Sequence, residues 1–326
     1  MWDFEIGRTV GLMARTAPFI VFRLVVFVGV AVAYVLAIGV GSGAGYLVGR
    51  MGSDPAAFGF WGGAFGFGLV SMALYWAREY LLYLVKAGHI AVMVELLDGR
   101  ELPHGRGQID YAQGMVRERF TEASVLFGVD QLIKGILSAV NGALFTVAAF
   151  LPIPGLAGAM GFINKVLNLS LTYTDEVILA HNFRTRSDNP WASSRTALVL
   201  YAQNFKAILK NAFFLLLLTW LLTFLLFLLI LAPAAGLAAL FGGAGAWVYI
   251  IAAVFAWSLK AALVDPFALC AMLQVYFKLT EGQSASPQWE ARLAGVSDKF
   301  RELGEKARDF VAPRPVSAGA AAPATT

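Results

Sequence analysis

Apolar positions fill four stretches of the chain: Ala17 to Val48, Ala57 to Trp76, Asn211 to Ala232, and Trp247 to about Phe277. About 20 apolar residues, rising about 1.5 Å each, cross a bilayer core of roughly 30 Å, so each stretch predicts a membrane-spanning helix. The first is interrupted only by Arg23 near its start, and the second closes at Arg78-Glu79. The first also exceeds the roughly 7–15 apolar residues of a signal-peptide core, so it reads as a retained span. The fourth is longer than the bilayer needs and predicts a tilt, a bend at Pro266 or a protrusion.

Between the spans the pattern changes. Leu81, Val85, Val92 and Leu96, with Gly88 on the same face, predict an amphipathic continuation of the second span that ends at Asp98-Gly99. Val116, Phe120, Ala123 and Phe127 mark another helix, and a further one from about Ala192 leads into the third span. Residues 132–171 are moderately apolar but carry Lys134, Asn141, Asn164, Lys165 and Asn168, with a turn at Pro152-Ile153-Pro154-Gly155. A re-entrant hairpin, a double crossing and a surface placement are all open. The cost of burying charge favours the two that do not cross. In the tail, Trp289, Leu293, Val296, Phe300, Leu303, Ala307 and Phe310 form an apolar stripe of three heptads. It predicts a helix packed on its own layer, lying on the membrane, or pairing with another copy. Beyond it, 312–326 is a disordered Ala/Pro/Ser/Thr tail.

The division is therefore 1–77 with two spans, 78–210 as a helical layer containing the hairpin 132–171, 211–277 with two more spans, the helix 278–311, and the tail. The fold class is all-α, a multi-pass integral membrane bundle with a helical cytoplasmic layer. Composition agrees: 59% of the 326 residues are hydrophobic and 14% are charged, against about 25% charged in soluble domains. Such a chain is not a soluble enzyme, a disordered chain or a nucleic-acid binder. Its net charge of +4 is explained by topology. Thirteen Lys and Arg lie between Arg78 and Lys210 and seven lie after the last span, while 233–246 has none. The positive-inside rule places both termini and the central layer in the cytoplasm, with the chain in an inner or plasma membrane.

Candidate chemistry is sparse. Cys270 is the single cysteine, and His89, His104 and His181 lie far apart, so no metal site, cofactor or catalytic constellation is expected. The glycines do form a pattern. Gly39, Gly41, Gly43, Gly45 and Gly49 on the first span, and Gly59, Gly62, Gly63 and Gly66 on the second, make overlapping small-xxx-small motifs that predict close helix packing. From these, Gly39, Gly43, Gly59, Gly63 and Gly66 are taken as the packing positions. Asp265-Pro266 interrupts the fourth span five residues after Lys260. An intramembrane charge faces a cavity or a partner. Proline leaves the carbonyl four residues back, that of Ala262, without its amide. Five residues of α-helix put Lys260 and Asp265 on different faces unless the kink realigns them. Asp265, Pro266, Lys260 and Asn211 are the candidate solute or ion pathway. Arg23 reads as an interfacial anchor that snorkels toward water.

One stretch resembles a known family. Tyr201-Ala202-Gln203-Asn204-Phe205, followed by Lys210-Asn211-Ala212-Phe213, is similar to a segment leading into a late span of the choline transporter-like family. Val264-Asp265 followed by Cys270 is similar to its final span, and Gly66-Phe67-Gly68 and Glu79-x-x-Leu82-x-Leu84 are weaker matches. The resemblance covers roughly Ala57 to Glu281, the C-terminal half of that family. It implies transport of a choline-like cation but assigns no binding residue. The family is longer and has more spans. Here proline follows Asp265, and Gln274-Val275 stands where an acidic pair is expected.

Two functions follow as expectations. One is a transporter or channel for a small, cationic solute. The other is a non-transporting membrane scaffold that recruits cytoplasmic partners. Either would sit in a lipid bilayer as a homo-oligomer, since glycine-rich faces and a heptad tail predict contacts beyond one chain.

Overall fold

A computed structural model describes residues 2–52, 54–77, 83–102, 107–119, 125, 128–139, 173–240 and 247–310. Among them are twelve α-helices and no strand. They are α1 (Ile6–Arg15), α2 (Ala17–Gly49), α3 (Pro55–Ala77), α4 (Tyr83–Leu97), α5 (Gln108–Arg119), α6 (Thr174–Thr185), α7 (Pro190–Gln203), α8 (Phe205–Leu240), α9 (Trp247–Leu259), α10 (Asp265–Thr280), α11 (Pro287–Val296) and α12 (Asp298–Asp309). A short helical stretch covers 128–139, and a π-helical turn, Lys260–Val264, joins α9 to α10.

Four segments are long and apolar enough to cross a bilayer: Ala17–Gly49, Pro55–Leu74, Phe205–Gly236 and Val248–Thr280. Large apolar side chains such as Val25, Leu36, Phe65 and Leu229 are more than 60% exposed on them. Water would penalise such a surface, and lipid accepts it. The apolar stretch that ends at Ala232 continues as helix through Pro233 to Leu240. A proline costs a helix one hydrogen bond, which neighbouring groups in a membrane bundle can make good.

α2 and α3 pack along their length at glycine-controlled distance. A Cβ on Gly41 would overlap the Gly62 carbonyl, and one on Gly62 would overlap the Gly41 carbonyl. Gly45 meets Phe58, Gly49 meets Pro55, and Gly66 meets the Ala37 carbonyl in the same way. Gly59 sits more loosely, since a Cβ on it would lie 3.4 Å from the Ser42 carbonyl oxygen, and the buried Gly63 borders the contact through its amide. The prediction for Gly39 and Gly43 is corrected: no atom lies within 4 Å of where their Cβ would be. Two interleaved small-xxx-small frames exist on α2, two residues apart, and the frame of Gly41, Gly45 and Gly49 faces α3. Helix rotation, which the motif alone does not specify, chooses between them.

The remaining helices form a layer at one end of the spans. α4 is its axis rather than the expected amphipathic helix, because Ala87 to Leu97 are buried on every side. Apolar residues run all round this helix, as expected of a helix enclosed by others. Phe4 and Leu12 from the N-terminal region, Ala112 and Met115 of α5, Val177 and Phe183 of α6, and Leu269 to Phe277 of α10 pack in the same core. The excess length of the fourth span is thus a protrusion, its second half forming the middle of the layer. A smaller core joins Ile133 and Ile136 to Trp191, Leu198, Leu293, Phe300 and Leu303. The tail stripe is not one helix: Ser297 is extended and caps α12 by accepting from the Phe300 amide. Both helices pack on their own layer, and Val296 is exposed at the break. The start of the predicted hairpin, 132–139, belongs to this core, and the rest of it lies outside the described residues, as do 312–326.

Candidate functional site

The fourth span breaks where its sequence carries charge. In an α-helix the Asp265 amide would bond the carbonyl of Ala261, yet here it bonds that of Lys260, five residues back. This wider turn is a π-bulge, a feature frequent at functional sites. It brings Lys260 and Asp265 onto one face, which the α-helical spacing forbids. Lys260 Nζ donates to Asp265 Oδ1 at 2.6 Å, and the side chains are 32% and 29% exposed. The Tyr173 hydroxyl, at the start of α6, donates to the same oxygen at 3.4 Å. Burial, followed by the Asp265 charge, holds the Tyr173 phenol well above its usual pKa, so it stays a donor.

Pro266 continues the logic. In the five-residue register its missing N–H would have served Ala261, so the orphaned carbonyl is that of Ala261 rather than Ala262. Arg23 Nη2 fills that position at 2.8 Å. The guanidinium does not snorkel: Arg23 is 9% exposed, its charge lies near Asp265 and Tyr173, and it sits 5.9 Å from the Phe27 ring centroid. A basic residue near the start of α2 therefore satisfies a backbone defect in the last span.

Asn211 is placed elsewhere. Fully buried, it accepts from the Asp3 backbone N–H at 2.6 Å and donates to the Asp3 carboxylate at 2.8 Å and to the Ala207 carbonyl. Lys210 completes the clamp, 2.7 Å from the same carboxylate, and these contacts hold Asp3 below the ordinary carboxylate pKa. Gln274 donates to Thr9 and accepts from the Glu5 amide, so α1 is tied to both α8 and α10. Asn211 thus anchors the N-terminal region, and its hydrogen bonds include none of the groups around Asp265.

Compared with known protein families, curated sequences and solved structures, the chain matches none.

The site thus comprises Lys260, Asp265 and Pro266 from one helix, with Arg23 and Tyr173 from two others. Sequence reasoning missed Tyr173 altogether, because its partner lies 92 positions away and nothing local marks it. Arg23 carried a signal in being the one charge within the first apolar run. No metal-binding group of three or more His, Cys, Asp or Glu occurs among the described residues.

Proposed function

We propose that the chain is a membrane transport protein for a small cationic solute, with the Lys260–Asp265 pair as the point of solute exchange. One observation carries this reading: the Asp265 carboxylate is held by a tethered ammonium on a π-bulge, and the pair is about one-third exposed. Lys260 occupies the place a solute cation would take. Returning the bulge to α-helix turns Lys260 by about 100° relative to Asp265 and frees the carboxylate. The choline-like identity of the solute rests on the sequence resemblance alone. Four spans enclose little space, so the passage lies between copies in a homo-oligomer. Both described ends of the chain pack in one layer, consistent with an even number of spans, and the basic residues of that layer favour the cytoplasmic side. Protease access to tags on each terminus in sealed vesicles tests the sidedness, and mass measurement in lipid discs tests assembly.

The decisive experiment measures choline flux into vesicles. Asp265→Asn, nearly isosteric, should abolish flux while the protein stays folded, and Lys260→Met should change the apparent affinity for choline. A folded Asp265→Asn variant with unchanged flux overturns the proposal.

A scaffold function is the second reading. It is favoured by the way Arg23, Lys260 and Tyr173 meet the polar groups of the break from within the chain. On that reading, neutralising Asp265 lowers stability, Lys260→Met restores it, and no variant changes flux.

A further inference from the structure

The N-terminal helix α1 carries three unlike faces. Thr9 and Leu12 are buried, and the Thr9 hydroxyl accepts from Gln274 of α10 at 2.8 Å. Arg8 and Arg15, seven positions apart, share a second face, from which Arg8 donates to the Leu97 carbonyl of α4 at 2.8 Å. Ile6, Val10 and Ala14, spaced by four, make the third face, and all three are exposed. For Val10 the exposed fraction reaches 54%.

This apolar row does not stop where α1 stops. Thr16 alone separates α1 from α2, and the helical spacing runs on through Ala17, Val21 and Val25, which are also exposed. At the other end, the exposed Trp2 meets the ring of Phe214 on α8 edge-on, with 5.6 Å between centroids. Leu217 and Leu221, three and seven residues further along α8, are exposed on the same face. The free face of α1 therefore joins the apolar outer surfaces of two spans.

That continuity decides what covers it. Single exposed apolar side chains are ordinary, but a row continuous with lipid-facing helices is not. A one-residue link to α2 leaves α1 no room to depart from the membrane surface. A soluble protein or a second copy would have to enter between α1 and the bilayer that bathes α2 and α8. An apolar face, basic residues on another face and a tryptophan at one end are the pattern of a helix seated among lipid headgroups.

We propose that α1 is an interfacial helix whose Trp2, Ile6 and Val10 face is embedded in the phospholipid leaflet on the side of the layer. The leaflet thereby bears on the layer at a point tied to the last two spans, because Asn211 of α8 holds Asp3 and Gln274 of α10 holds Thr9. Full-length protein in phosphatidylcholine–phosphatidylglycerol discs, with a nitrobenzoxadiazole label on Val10→Cys, tests the contact. Cys270 is buried, and wild type treated with the same reagent supplies the blank. The comparison is Glu305→Cys, an exposed position of α12. Lipids bearing a nitroxide high on the acyl chain should quench the label at 10 several-fold more than the label at 305. Aqueous iodide should quench it several-fold less. Equal iodide quenching at the two positions overturns the proposal, because the face is then in water. Protection from iodide without quenching by lipid also overturns it, because protein then covers the face. Ile6→Cys carries the same test if Val10→Cys fails to fold. As a second readout, Val10→Asp should speed hydrogen exchange of α1 amides several-fold in discs and leave α12 unchanged. Unchanged exchange in α1 would show that the leaflet does not hold the helix.

Discussion

Arg23 donates to the carbonyl of Ala261 at 2.8 Å, across 238 positions of sequence, and so serves the backbone oxygen that Pro266 leaves unmet. A buried carbonyl without a donor costs about 1–3 kcal/mol. Arg23→Met should therefore lower stability by about that amount. Pro266→Ala returns an N–H that can reach Ala261 in the π register, so Arg23→Met should cost clearly less in that background. Thermal melts of the four proteins complete the cycle. Equal costs in both backgrounds would show that Arg23 acts otherwise.

The α2–α3 contact separates the two glycine frames. Gly62→Ala places a methyl where the Gly41 carbonyl lies and should destabilise the bundle by about 1–3 kcal/mol, as overpacking does. Gly43→Ala meets open space and should be neutral. Denaturation in detergent compares them, and a Gly43→Ala as damaging as Gly62→Ala would refute the assigned frame.

Two layer histidines predict acid sensitivity. His89 is fully buried, stacked on Phe19 and 3.0 Å from the Thr16 hydroxyl, and burial followed by the Arg23 charge pushes it down to about 3. His181, against Tyr276, is pushed down to about 4 by burial and Arg184. The unfolded chain takes up protons first, at about 6.5. Stability should thus fall as pH drops below 6.5, by about 1.4 kcal/mol per unit for each histidine until its folded value is reached. Asp130 opposes this, since a raised carboxyl pKa makes acid favourable between about 6 and its ordinary value. His89→Gln, melted at pH 7 and pH 5, should lose one proton's worth of slope, and an unchanged slope refutes the assignment.

The clamp of Asp3 by Lys210 and Asn211 should tie the N-terminal region to α8. Asp3→Ala should cost about 1–2 kcal/mol, the range of charge-assisted hydrogen bonds discounted for partial exposure. Because the Asp3 pKa is lowered, this contribution is present above the ordinary value and disappears as pH falls through the folded one. Hydrogen exchange of α1 amides reports the loosening, and unchanged protection in Asp3→Ala would show that the clamp does not hold α1.

The sequence by itself determined the membrane class, the four spans and the helical content, because apolar run length measured against bilayer thickness needs no knowledge of neighbours. It also marked Asp265-Pro266 and Lys260 as the break in the last span, since charge and proline there are costly wherever the helix packs. The tertiary structure decided everything that depends on rotation or distant contact. It chose Gly41 over Gly43 as the α3-facing frame, because a small-xxx-small motif does not state which way its helix turns. It enclosed α4, which a stripe of apolar positions had marked as amphipathic. It moved Asn211 from the pathway to the N-terminal clamp, because its partner Asp3 lies 208 positions away. The same holds at the break. One residue of π register put Lys260 on Asp265 and shifted the orphaned carbonyl from Ala262 to Ala261, and only the folded chain brings Arg23 to meet it.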